Sequence, residues 1–293
     1  MDASNPSAVP TAASRAPLHI GSVGMIARDL DRLIVYYRDL LGLTVRRQTE
    51  RTASLGVDGV SLLELTHAPD ALPDDAREAG LYHTAFLMPT RADLARWILH
   101  VAKKRVPITG ASDHDVSEAI YLDDPEGNGV EVYADRSRET WRTNGQMIFQ
   151  KTEPLDIDAI VREVDPATAA YPAAPGGLRI GHIHLRVGDI ARAEEFYCGT
   201  LGLEVTRRRP GATFVSSGGY HHHVAANTWH SEGAGARNGK RAGLDWFSIE
   251  VNDAAELDAI GKRLSAAAAV ERSADGLAAT DPWGTRIRFT RAR

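Results

Sequence analysis

The chain has 293 residues, with 34 Lys and Arg against 39 Asp and Glu and a formal net charge of −5. That length suits about two domains, and the acid excess gives no electrostatic attraction to nucleic acid or an anionic membrane. No apolar run approaches the ~20 residues of a transmembrane helix, and the single Cys198 excludes an internal disulfide, which fits a reducing cytoplasm.

Residues 1–17 lack an apolar signal core and read as a short disordered arm. An alternating strand, VGMIA (23–27), leads into RDLDRLIVYYRDLLGLTVRR (28–47). Asp29 suits a helix N-cap, the apolar residues recur at three and four, and Gly42 suits the stop. The same plan returns 160 positions later as GDIARAEEFYCGTLGLEVTR (188–207), with Asp189, Tyr197 and Gly202 matching Asp29, Tyr37 and Gly42. On this predicted helix Cys198 reads as a packed small residue.

A second kind of unit opens at Gly80-Leu81-Tyr82-His83 and at Gly243-Leu244-Asp245-Trp246. Each closes on Asp-Pro-x-Gly, at 124–127 and 281–284, followed by a last strand. The chain therefore divides into the arm 1–17, two βαβββ modules over 18–135, a connecting segment 136–179, and two more modules over 180–293. The connection is rich in Pro and Ala, with a short helix expected near Leu155–Val164. A unit of about 50 residues cannot cover its own apolar sheet face, so the modules must pair. The fold class is α+β: four βαβββ modules paired into two cup-shaped, partly open β-barrels with flanking helices.

This plan resembles the vicinal oxygen chelate superfamily, which takes in glyoxalases, bleomycin-resistance proteins and extradiol dioxygenases. A sharper likeness lies in HDVSEAIYLDDPEGNGVE (114–131). His114, Ile120, Tyr121, Asp124, Pro125, Gly127 and Glu131 fall on the extradiol dioxygenase signature, with Ser112 as one departure. The whole chain most resembles the catechol 2,3-dioxygenase branch. The resemblance implies a metal-dependent dioxygenase that opens a catechol-type aromatic diol with O2 in the cytoplasm. It leaves room for a homo-oligomer, and it gives no role to nucleic acid or a membrane.

In that superfamily the ligands come from the first and last strands of a module. The first-strand place holds Ser22, His83, His182 and Trp246 in modules one to four, and the last-strand place holds Glu131 in module two and Arg288 in module four. Two His and one carboxylate on one face of an ion suit Fe(II), with Mn(II) also admitted. Only modules two and three together supply His83, Glu131 and His182. The expected working cup is therefore two with three, within one chain or between two subunits, with one and four as a degenerate partner.

The resemblance places a His pair, one member a catalytic base, at Tyr220-His221-His222-His223. Counting from the preceding Gly and Tyr selects His222, and a one-residue slip would select His221 or His223 instead. Tyr121 is expected to hydrogen-bond the bound diol, and His114 is a further polar contact. His184 shares a face with His182 and reads as buried with a partner, not as a fourth ligand. Phe86, Trp229 and Phe247 are candidate apolar walls. Two other functions share the fold: a glyoxalase-like isomerase or lyase, with a second carboxylate such as Glu64, and a metal-free small-molecule-binding protein.

Overall fold

The computed structural model describes residues 11–267, 270–273 and 276–292. Module one is β1 (Leu18–Ala27), α1 (Leu30–Leu41), β2 (Thr44–Gln48), β3 (Thr52–Val57) and β4 (Val60–His67). Module two is β5 (Gly80–Leu87), α2 (Arg91–Lys104), β6 (Gly110–Asp113), β7 (Ser117–Asp123) and β8 (Gly129–Asp135). Module three is β9 (Arg179–Arg186), α3 (Ile190–Glu194, continued as a wider π turn over Glu195–Thr200), β10 (Glu204–Arg209), β11 (Ala212–Ser216) and β12 (Val224–Asn227). Module four is β13 (Gly243–Val251), α4 (Ala254–Ala266), β14 (Val270–Ser273), β15 (Gly276–Thr280) and β16 (Arg286–Arg291).

The helix signals act as their residue types dictate. Asp29 Oδ1 accepts from the Arg32 amide at 3.0 Å, and Asp189 Oδ1 from the Arg192 amide at 2.7 Å, so each carboxylate satisfies a donor of the first turn. Leu30, Leu33, Ile34, Tyr37, Leu40 and Leu41 form the buried stripe of α1. Gly42 ends it at φ +69°, where a Cβ would meet the backbone of Ala173 and Ala174. Cys198 is part-buried, and burial raises its thiol to about 11, so it is not a poised nucleophile.

Modules one and four share one eight-stranded sheet, in the order β14-β15-β16-β13-β1-β4-β3-β2. Modules two and three share the other, β6-β7-β8-β5-β9-β12-β11-β10, with the short strand Glu153–Pro154 added at its β6 edge. The join in each case is antiparallel pairing of first strands, β1 with β13 and β5 with β9. The pairing of two with three is thus made within one chain. One apolar cluster crosses the molecule, from Leu33 and Leu63 through Phe86 and Ile183 to Phe247 and Phe289.

Two departures from the sequence reading concern the segments outside the modules. Residues 11–17 are not a free arm: a single turn, Ala12–Arg15, buries Ala13, whose carbonyl lies 3.1 Å from the buried His223 Nε2. A buried imidazole donor needs an acceptor, and the arm supplies it. Residues 1–10 lie outside the described residues. The connection is built into the fold by backbone ties. Tyr171 donates to the Leu41 carbonyl at 2.9 Å, and the Gly177 amide to Asp58 Oδ2 at 2.8 Å. Its helix is Ile157–Val161, where one was expected.

Consecutive modules are tied by a repeated Tyr–Asp bond. Tyr37 of α1 donates to Asp124 Oδ2 at 3.0 Å, and Tyr197 donates to Asp281 Oδ2 at 3.0 Å. Asp124 Oδ1 also accepts the amides of Glu126 and Asn128, which shapes the Asp-Pro-x-Gly turn. Asp124→Ala strands these buried donors and is expected to cost about 3 kcal/mol in urea unfolding. A loss below about 1 kcal/mol would mean that the turn holds itself without the carboxylate.

Candidate active site

His83 on β5, Glu131 on β8 and His182 on β9 come from three adjacent strands. Ala85 is the Cα partner of both Glu131 and His182, and His83 lies two residues before it on the same face. Ala85, itself buried, is thus the register position around which the three side chains gather. His83 Nε2 and His182 Nε2 lie 2.9 and 3.2 Å from the same atom, Glu131 Oε2. All three residues are buried.

A bulge aims His182. Ile180 faces Phe86 and His182 faces Ala85, so Gly181 is the extra residue in β9. A Cβ on Gly181 would lie 1.9 Å from Tyr133 Oη, which bars any other residue there without rearrangement.

The electrostatics favour a cation at this point. Burial opposes the charge of Glu131, yet His182 and His83 outweigh it and hold the carboxyl well below the usual range. Burial brings His182 down to about 4, against the pull of Glu131. His83 Nε2 is buried with no hydrogen-bond partner, because its approach to Glu131 lacks hydrogen-bond geometry. A buried ring nitrogen without a partner, beside a second imidazole and an ionised carboxylate, fits a divalent ion.

These residues open on a cavity of about 490 Å³. Among His221, His222 and His223, only His222 lines it. The run lies in the bend before β12, so the three rings diverge more than strand alternation alone would send them. His222 sits against His182, ring centroids 4.1 Å apart, and burial among other imidazoles pushes its pKa well below the ordinary value. Its Nδ1 lies 2.8 Å from His221 Nδ1, and His221 Nε2 lies 3.0 Å from Asp135 Oδ1. His223 turns away to Ser216 and Ala13.

Tyr121 is the cross-strand partner of Glu131, and its hydroxyl lies 2.8 Å from His114 Nε2. His114 Nδ1 lies 3.0 Å from the Lys151 carbonyl, which only accepts, so in neutral His114 the Tyr121 hydroxyl donates to Nε2. Burial raises Tyr121 well above the ordinary phenol value, with Glu131 adding to the shift, so it stays protonated. His184 is buried beside Asn227 Nδ2 at 2.9 Å, with its ring 4.8 Å from that of His83.

The walls differ from expectation. Phe86 and Phe247 are wholly buried in the core cluster, because their strand positions point to the helix-covered face. Trp229 does line the cavity, together with Tyr82 and Phe214, which the sequence reading missed. Tyr82 stands one residue before His83, and Phe214 alternates along β11 with core residues. Both signals are too weak to separate a wall from a core aromatic without the sheet order.

In the other cup, described side chains occupy the corresponding place. The Arg288 guanidinium lies 3.7 Å above the Trp246 ring, and Trp246 packs on Gly24, where a Cβ would be 2.1 Å from the indole. Ser22 is bound to Ser248 and Glu64 to Ser54. Trp246→Ala is therefore expected to leave metal content unchanged in anaerobic Fe(II) titration. Loss of iron by a folded Trp246→Ala protein would put the ion in the wrong sheet.

The model of the Glyoxalase/Bleomycin resistance protein/Dioxygenase superfamily matches residues 19–132 and 179–289. A catechol-2,3-dioxygenase of Bacillus subtilis (strain 168) is 36% identical over 270 residues, covering 90% of this chain and 94% of that protein. A biphenyl-2,3-diol 1,2-dioxygenase 3 of Rhodococcus globerulus is 31% identical over 118 residues, 36% of this chain and 57% of its own. The crystal structure of glyoxalase I from Zea mays superposes with a TM-score of 0.55 at 17% identity, covering 95% of this chain and 94% of that one, and shares the fold. Among the described residues no helix is long and apolar enough to cross a membrane. With two matched segments spanning most of the sequence, the chain belongs to the Glyoxalase/Bleomycin resistance protein/Dioxygenase superfamily.

Proposed function

We propose that this protein is an extradiol dioxygenase that opens a catechol-type ring with O2. In this reading His83, Glu131 and His182 hold Fe(II), or Mn(II) in its place, and the enzyme works in the cytoplasm. The observation that carries it is the meeting of these three side chains at Glu131 Oε2, with the His222 ring tilted against His182 beside the cavity. The 36% identity to a catechol-2,3-dioxygenase over nearly the whole chain supports it.

The bound ion would acidify a diol hydroxyl and relay electron density from the ring to O2. The rest of the work falls to side chains. The Asp135 carboxylate accepts from His221 Nε2, which leaves His221 Nδ1 as an acceptor for the Nδ1–H of His222. His222 Nε2 then keeps its lone pair. Burial keeps the ring neutral and therefore free to accept, and in this reading it takes a diol proton and returns it later as an acid. The Tyr121 hydroxyl would turn its one proton from His114 Nε2 to a developing oxyanion, which it would steady as a donor. Tyr82, Phe214 and Trp229 hold the ring and exclude water.

A glyoxalase-like reading asks for a carboxylate where His222 stands. The discriminating experiment is anaerobic reconstitution with Fe(II), then catechol and air. Oxygen uptake with a yellow ring-opened product is expected. No uptake with Fe(II), but isomerase activity with Ni(II) or Zn(II) in the absence of oxygen, would reject the proposal.

A further inference from the structure

One wall of the cavity carries positive charge that the ring-cleaving groups do not use. Arg207 and Arg209 lie two residues apart on β10, and both line the cavity. The Arg207 guanidinium stands 5.5 Å from the centroid of Phe214, whose ring is 5.1 Å from that of His222. Arg207 Nη1 donates to Gln150 Oε1 at 3.1 Å, and Arg209 Nη1 to Thr152 Oγ1 at 3.2 Å. Neither arginine has a carboxylate within ion-pair distance among the described residues. Asp115, the acid whose field Arg207 feels, is already engaged by Arg142 at 2.8 Å and by Lys151 at 3.4 Å.

A second observation is independent of charge. The bond from Arg207 fixes the Gln150 amide with its oxygen toward the guanidinium. Its Nε2 is then a buried donor with no partner. Buried donors in native proteins are satisfied by protein, water or ligand, and even the half-buried Arg207 loses hydration without gaining a counter-charge. Burial lowers the Arg207 pKa to about 10, with Arg209 adding to the shift, so it remains charged at neutral pH.

We propose that Arg207 and Gln150 form a subsite for a carboxylate on the side arm of the diol substrate. Arg207 offers its fork to the carboxylate oxygens, Gln150 Nε2 adds a third donor, and Arg209 adds long-range attraction. Phe214 packs against both Arg207 and His222, and no contact joins those two directly among the described residues, so the anion is assigned to a side arm and not to a diol oxygen. The inference rests on the ring-cleavage reading and narrows its substrate class to acidic catechols.

The test compares catechols bearing a carboxymethyl or carboxyethyl arm with their methyl esters. Binding is measured by calorimetry and kcat/KM by oxygen uptake, both on the iron-loaded protein. At least one acid should be preferred over its ester by about 10-fold or more, the size of a charge-assisted contact. Arg207→Gln should erase that preference and Arg207→Lys keep part of it. Gln150→Ala should lower it, and serves as the second variant if the Arg207 changes disturb folding. Equal use of acids and esters by the wild type, or an unchanged preference in Arg207→Gln, would overturn the subsite and leave ring cleavage standing. Acid-selective binding lost in Arg207→Gln, with no oxygen uptake on any diol, would keep the subsite and reject ring cleavage.

Discussion

Glu131→Gln is expected to lower Fe(II) affinity by more than about 100-fold and to give no measurable ring cleavage, because it removes the one carboxylate on which both imidazoles converge. An amide keeps the size of the side chain but not the charge, and its NH2 would face two ring nitrogens that must be lone-pair donors to bind a metal. The fold should survive. The carboxylate is buried at a desolvation cost, so a neutral isostere removes a burden as well as an interaction. His83→Ala should give the same metal loss. Iron retained at full stoichiometry by folded Glu131→Gln protein would show that the ion sits elsewhere.

The second large effect is on proton transfer. His222→Gln should keep its iron and lose about 10²–10⁴ in kcat, the usual worth of a positioned general base. The His222 ring lies tilted against His182, and its Nδ1 is occupied by His221, which leaves Nε2 for the cavity. Binding of the diol should change far less than turnover. A fall in kcat under tenfold would remove His222 from the chemistry. Loss of iron would instead mark it as a support of His182.

Much of this was legible in the sequence because the modules repeat. Asp29 with Asp189 and Gly42 with Gly202 mark the same helix twice, and the structure uses each pair as cap and stop. The expected pairing of two with three came from asking which modules hold ligand-type residues, and the sheet order shows that pairing. Tyr121 and Glu131 face each other across β7 and β8, as their ten-residue separation around a turn allows.

What stayed hidden depends on long-range geometry. The β9 bulge is marked only by Gly181, and its reason is a tyrosine hydroxyl 48 positions earlier in sequence, on Tyr133. Strand alternation alone cannot say that His221 is held by Asp135, since that contact crosses from module two to module three. Phe86 and Phe247 read as walls because an aromatic on a strand is equally suited to either face. Only the helix packing shows which face is closed. The arm misled because its anchors are backbone carbonyls, Ala13 facing His223 and Ala16 and Pro17 accepting from Asn252, which no residue type announces.

The central claim is that one ion is held jointly by the second and third modules. Crystals grown or soaked anaerobically with Fe(II), with diffraction recorded on both sides of the iron absorption edge, test it most directly. The account predicts one anomalous peak per chain in contact with His83, Glu131 and His182. A peak in the Trp246 cup, or one in contact with His83 and Glu131 but not His182, would contradict it.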